Sequence, residues 1–245
     1  MTQLKRAIVT GATSGIGSAI VVAFSDAGYE VLAVARRADR LAKLAETPNI
    51  QTLVADVRNL DSLTEAIHNF EPDVLVNNAG VGHGIDGLTG LEPGSVQEAI
   101  DINVTAPVQL TAAAIPGMRA RGHGHIVNIG SIAGLHTLVS SLYGATKSAI
   151  HIFSQNLRSE LLGSGLRVTE ICPGRVTTEF YQSAQGDRER LDAMNKTGIR
   201  ELMPADIADA VLYAVSAPAH VNVATIELLP TDQAVGGVKA KSSAE

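Results

Sequence analysis

The chain has 245 residues, 45% of them hydrophobic and 18% charged, with a formal net charge of −6. Such a balance describes a folded chain with apolar side chain enough for a sizeable core, and it argues against a protein whose main work is holding nucleic acid, which needs a basic face. No run of about 18 or more apolar residues occurs, so no membrane span is expected. The start, Met1–Thr10, lacks a signal-peptide pattern, and the single cysteine, Cys172, allows no intrachain disulfide, so the cytoplasm is the expected compartment.

Short apolar, β-branched runs alternate with segments of helical period. The pattern predicts a strand at Ala7–Thr10, a helix over 16–27, a strand at Val31–Ala35 and a helix over 38–45. A strand at Gln51–Ala55, a helix over 60–69 and a strand at Val74–Asn77 follow. A long helix over 95–121 leads into a strand at His125–Ile129, and a second long helix covers 141–162. Last come a strand at Arg167–Ile171, a helix over 205–216 and a strand at Thr225–Leu229. Strands apolar along their whole length are those buried on both faces. The alternation therefore predicts an α/β fold: a Rossmann-like, doubly wound parallel sheet of about seven strands with helices on both faces.

No linker, repeat or composition shift divides residues 1–245, which reads as a single domain. The polar stretch Gln182–Gly198 is different in character. Loops at the carboxyl ends of strands build the ligand crevice of such sheets, so residues of about 175–200 are a candidate substrate lid, with a solvated surface loop as the alternative. From Gln233 onward the chain reads as a flexible or partner-docked tail.

The segment Thr10-Gly11-Ala12-Thr13-Ser14-Gly15-Ile16-Gly17 leaves the first strand and opens the first helix. Gly11 permits the tight turn, Gly15 lets backbone approach a pyrophosphate, and Gly17 lets helix and strand pack closely. The helix N-terminus offers unpaired N–H groups to phosphates. The spacing, G-x-x-x-G-x-G, resembles the signature of the short-chain dehydrogenase/reductase family, and later motifs extend the resemblance over nearly the whole chain.

That resemblance implies an oxidoreductase acting on CH–OH groups, with Thr13, Ser14 and Ile16 joining the glycines at the cofactor. NAD-preferring sites place an acid at the end of the second strand; here Arg36 and Arg37 stand there and Asp39 comes too late. Two guanidinium groups suit a 2′-phosphate, so NADP(H) is the expected cofactor; the alternative is that both arginines simply begin a solvated helix. Asp56-Val57 resembles the family's adenine-binding pair. Asn77-Asn78-Ala79-Gly80 resembles its NNAG motif, with Asn77 tying strands together and Asn78, Ala79 and Gly80 against the cofactor. Pro173-Gly174, Val176 and Thr177 resemble the segment closing over the nicotinamide.

Tyr143 and Lys147, four apart in the helix over 141–162, share one helical face. A tyrosine near pKa 10 is a poor base at neutral pH; a neighbouring ammonium and an oxidised nicotinamide both favour its phenolate and push it towards the working range. Tyr143 would then give a proton to a carbonyl oxygen in reduction and remove it in oxidation. The resemblance adds Ser131, which hydrogen-bonds the substrate oxygen, and Asn103, which holds a water linking the lysine to solvent. It also implies a homotetramer built on the two long helices.

Pro218–Thr225 with Glu227–Pro230 resembles the branch that oxidises serine and related 3-hydroxy acids and reduces malonic semialdehyde, with relatives that reduce sulfoacetaldehyde. Pro230-Thr231-Asp232-Gln233 resembles clavulanate-type dehydrogenases, so a bulkier aldehyde stays open. Arg175 is placed to clamp a carboxylate or sulfonate, or else pairs with Glu179 at the surface; His136 is a candidate pocket residue, or else a core or rim histidine. No histidine has metal-ligand spacing, so no metal is expected. A catalytically silent NADP(H) sensor would have lost Tyr143 or Lys147, and a serine hydrolase would need the absent G-x-S-x-G elbow.

Overall fold

The computed structural model describes residues 5–138, 140–194 and 198–235. Seven strands, β1 (Arg6–Thr10), β2 (Glu30–Ala35), β3 (Ile50–Val54), β4 (Val74–Asn77), β5 (Gly124–Ile129), β6 (Leu166–Pro173) and β7 (Thr225–Leu228), form one sheet. The order is β3-β2-β1-β4-β5-β6-β7, and every pairing is parallel. Predicted and observed strands agree to within about two residues, because continuous apolar runs such as Val74–Asn77 are buried on both faces. The Rossmann-like doubly wound sheet is the fold.

Helices α1 (Gly15–Asp26), α2 (Ala38–Leu44) and α3 (Leu60–Phe70) cross between the first four strands. Further along lie α4 (Ser95–Ile100), α5 (Ala106–Arg121), α6 (Ile132–Leu135) and α7 (Ser141–Glu160). Three more, α8 (Phe180–Ser183), α9 (Arg188–Met194) and α10 (Pro204–Ser216), follow β6. On one face α1 and α10 bury Ile20, Phe24, Ile207 and Val211 against β1 and β2. On the other, α3, α5 and α7 bury Leu63, Leu110 and Leu157 against Ile8, Leu75 and Ile126. The winding reverses between β1 and β4, which opens a crevice at their carboxyl ends.

The helix expected over 95–121 is not continuous. A π-helical turn, Asp101–Thr105, separates α4 from α5. Pro107 has no N–H to give the carbonyl of Asn103, so the regular ladder cannot run through, and the widened turn carries Asn103 to a buried position.

The stretch expected as a lid folds as α8 and α9. Ala184 and Leu191 are buried with Ile85, Ala133 and Tyr143, and Phe180, Tyr181 and Met194 pack against them. Backbone N–H groups of Gln185 and Asp187 bond to His83 Nδ1 at 3.2 Å and Asp86 Oδ2 at 2.9 Å. The segment thus has its own apolar anchor, and the reading of it as a merely solvated loop does not hold for the described residues. Of the predicted tail, Gln233 accepts the backbone N–H of Arg175 at 2.8 Å; residues 236–245 lie outside the described residues.

Candidate active site

Gly11 takes φ +66°, and a Cβ there would lie 2.8 Å from Ala79 Cα. Asn78 Nδ2 donates to Thr10 O at 2.9 Å and Gly11 O at 3.2 Å, while Thr10 Oγ1 accepts the N–H groups of Asn78 and Ala79 at 3.0 and 3.1 Å. The glycine turn and the Asn77–Gly80 run are thereby locked together at the switch point. Asn77 Nδ2 ties β4 to Asn128 Oδ1 on β5 at 2.8 Å and to Thr111 on α5 at 3.0 Å.

A cavity of about 750 Å3 opens over this junction. Of the cofactor residues expected from sequence, all but two line it. Gly17 lies behind the turn, where a Cβ would meet Gly11 O at 2.2 Å, so its part is the close packing expected of it. Thr177 turns away to Leu202 and Glu201, and Thr178 takes its place in the lining. Bare glycine backbone at the centre, with guanidinium groups at one end and Tyr143 at the other, fits an extended phosphorylated dinucleotide.

At the guanidinium end, Arg37 Nε donates to Thr13 Oγ1 at 3.2 Å and its Nη1 to Glu179 at 3.0 Å. Arg40, not anticipated from the sequence, donates to Glu179 at 2.9 Å and to Thr13 O at 3.4 Å. Its position three residues after Arg37, one turn along α2, was the available signal. Arg36 faces Asp56 at 3.7 Å. Asp56 is also bonded to Arg58 at 2.7 Å, and chiefly that bond holds its carboxyl at about 2.

At the other end, Tyr143, Lys147 and Ser131 line the cavity. Lys147 Nζ lies 5.9 Å from the centroid of the Tyr143 ring and donates to Ile129 O at 2.8 Å. Ser131 caps α6, its Oγ accepting from Ala133 N at 3.1 Å, which leaves the hydroxyl proton free to donate. Burial pushes the Tyr143 phenol up, against a hydrogen bond with Ser131. Burial also pulls Lys147 down to about 8. In the protein chain by itself, desolvation of the phenolate is the largest influence on Tyr143, and the Ser131 hydrogen bond opposes it.

Asn103 is brought near these groups but does not line the cavity. Its side chain bonds Val81 N and O at 2.8 and 2.9 Å and Thr146 at 3.1 Å, so it fixes Val81 and α7 to each other. His136 also falls outside, its Nε2 bonded to Glu227 at 2.7 Å, because α6 turns it towards β7. Arg175 does line the cavity. It does not pair with Glu179; its guanidinium stacks over Tyr181 at 4.8 Å and donates to Met194 O. Sequence reasoning missed His83, a buried lining residue bonded to Glu98 at 3.1 Å; its place three residues beyond the Asn77–Gly80 run was the only clue.

A family model described as short chain dehydrogenase matches residues 5–189. The chain belongs to the short-chain dehydrogenase/reductase family. This short-chain dehydrogenase is 37% identical to the NADP-dependent 3-hydroxy acid dehydrogenases of Salmonella typhi, over 96% of this chain and 99% of that one, and of Escherichia coli K12, over 94% and 97%. Its fold superposes on a closed form of serine dehydrogenase complexed with NADP+ with TM-score 0.89 and 36% identity, covering 97% and 99% of the two chains. A short-chain dehydrogenase from Sphingobium yanoikuyae in complex with NADPH matches with TM-score 0.79 and 29% identity, over 91% and 87%. The protein is an NADP-dependent oxidoreductase acting on hydroxyl groups, as the cavity's two ends indicate.

Proposed function

We propose that this oxidoreductase reduces a small anionic aldehyde, of the malonic semialdehyde or sulfoacetaldehyde kind, and in reverse oxidises a 3-hydroxy acid or related alcohol. The observation that carries this reading is Arg175. Its guanidinium is largely buried at the cavity and ion-paired with Glu201 at 3.9 Å, while Nη1 makes no hydrogen bond among the described residues. A buried donor without an acceptor is costly, and a carboxylate or sulfonate entering beside Tyr143 would satisfy it.

Bound NADPH supplies the hydride. Tyr143 gives its proton to the substrate oxygen, and Ser131, whose Oγ already accepts from Ala133, donates its own hydrogen to the same oxygen. Lys147 supports the phenolate that Tyr143 becomes. Arg36 and Arg37, with Arg40, hold the 2′-phosphate; Asp56 and Val57 hold the adenine. Phe180, edge-on to Tyr143 at 5.4 Å, shields the reacting end from water.

The test is NADPH oxidation with malonic semialdehyde, sulfoacetaldehyde, neutral short aldehydes and bulky aldehydes, and NADP+ reduction with 3-hydroxypropanoate and serine. Higher kcat/KM for the anionic substrates supports the reading; preference for neutral or bulky aldehydes overturns it. We also infer a cytoplasmic homotetramer assembled on α5 and α7, where Ile152 is half exposed; sedimentation as a monomer or dimer would remove that assignment. Among the described residues no helix is long and apolar enough to cross a membrane.

A further inference from the structure

Strands β6 and β7 run parallel, with Pro173 level with Leu228, and Gly174 N extends the pairing to Leu228 O at 2.7 Å. The chain therefore leaves both strands side by side at the carboxyl edge of the sheet, where such folds hold their ligands. From β6 comes Arg175. From β7 comes Gln233, through a turn closed by Gln233 N donating to Pro230 O at 3.0 Å, with Pro230 buried. Gly174 makes the room, since a Cβ on it would collide with Gln233 Oε1.

Gln233 Oε1 accepts the backbone N–H of Arg175 at 2.8 Å. An amide whose oxygen is held by an N–H has its orientation set, so Nε2 and its two hydrogens are the end left over. Gln233 is half-buried and lines the cavity beside Arg175, and among the described residues its Nε2 makes no hydrogen bond. Arg175 is fixed on both sides of its Cα, its N–H by Gln233 and its carbonyl by Leu202 N at 3.0 Å. Its guanidinium stacks over Tyr181, with Nη1 making no hydrogen bond. Two donors from neighbouring strands thus border one cavity. From Tyr181, ring contacts of 5.6 and 5.4 Å run through Phe180 to Tyr143.

We propose that Gln233 is a substrate-specificity residue, its carboxamide N–H groups donating to the same anionic end of the substrate that Arg175 receives. This rests on the reading of the substrate as a small anion. A carboxylate or sulfonate has acceptor oxygens enough to take both donors at once, whereas a neutral alkyl end leaves both unpaired. The guanidinium brings the charge, and the amide, held by its own oxygen, brings direction.

The experiment is calorimetric titration of 3-hydroxypropanoate into the NADP+ complex of the Tyr143→Phe protein, which binds without turning over. Gln233→Met in that protein removes the donor at similar length, and the Kd of the anion rises about tenfold while NADPH binds as before. The same substitution on top of Arg175→Met still weakens the anion, which a mere support for Arg175 would not do. Gln233→Glu keeps an acceptor for the Arg175 N–H and puts a negative charge where the donor was, so it weakens the anion more than Gln233→Met does. Set against the protein with Gln233, it also serves as the test if Gln233→Met does not fold, and an unchanged Kd there overturns the proposal. No further loss in the Arg175→Met background, or a milder effect of Gln233→Glu than of Gln233→Met, reduces Gln233 to a support and overturns it as well. An equal loss of NADPH affinity does the same by placing the amide on the nicotinamide. Anion binding that is unchanged by Gln233→Met overturns this proposal alone; no binding even with Gln233 and Arg175 in place overturns the anionic-substrate reading together with it.

Discussion

Arg37 donates a hydrogen bond to Glu179 at 3.0 Å, so the guanidinium at the ribose end of the cavity is tied to the residue that precedes α8. Both partners are well exposed to solvent, where such pairs are weak. A phosphate dianion, with three acceptor oxygens, competes well for the same donors. Replacing Arg36 and Arg37 by alanine should raise the Kd for NADPH by about 10- to 100-fold per lost contact and leave NADH nearly unaffected. Fluorescence titration with both cofactors measures it, and an equal effect on the two would remove the 2′-phosphate assignment.

Tyr143→Phe keeps the ring that packs against Phe180 and removes only the hydroxyl. Turnover should fall by roughly 10²- to 10⁴-fold, while NADPH binds as in the wild type. Steady-state rates alongside a binding titration separate the two; full activity in this variant rules out Tyr143 as the proton carrier.

Arg175→Met keeps much of the apolar stem that lies by Tyr181 and deletes the charge. For an anionic aldehyde kcat/KM should drop by about 10- to 100-fold, and for a neutral aldehyde of the same length by far less. The ratio between the two substrates is the readout, since any loosening of α9 through Met194 affects both. Parallel losses would mean that Arg175 only fastens the end of α9.

His125 is buried in β5, 2.7 Å from Thr169 Oγ1, and burial holds its pKa down to about 3. In the unfolded chain it titrates near 6.5. A depressed folded value means that this stability is fully present above about pH 6.5 and is lost as pH falls towards 3, at about 1.4 kcal/mol per unit. Denaturant unfolding of wild type and His125→Asn between pH 7 and 4.5 gives the two slopes. The wild-type slope should be the steeper, and equal slopes would clear His125 of the effect.

Sheet, helices and phosphate turn were legible in the chain because period and glycine spacing are local. Gly11, Gly15 and Gly17 act through their own φ angles and missing Cβ atoms, and Tyr143 and Lys147 meet because one helix carries both. The break at Asp101–Thr105 was hidden because apolar periodicity carries across a π turn. Arg40, His83 and Thr178 were missed because their neighbours come from distant segments.

By itself, then, the sequence determined the doubly wound sheet, the dinucleotide crevice and the order of Asn103, Ser131, Tyr143 and Lys147. Tertiary structure alone decided that Asn103 pins Val81 and Thr146, that His136 faces Glu227, and that Glu179 pairs with Arg37 and Arg40 and not with Arg175. It also decided the direction in which Tyr143 and Lys147 shift. Those outcomes depend on burial and on charges brought together across more than a hundred residues of chain, as between Arg37 and Glu179, and no local pattern encodes either.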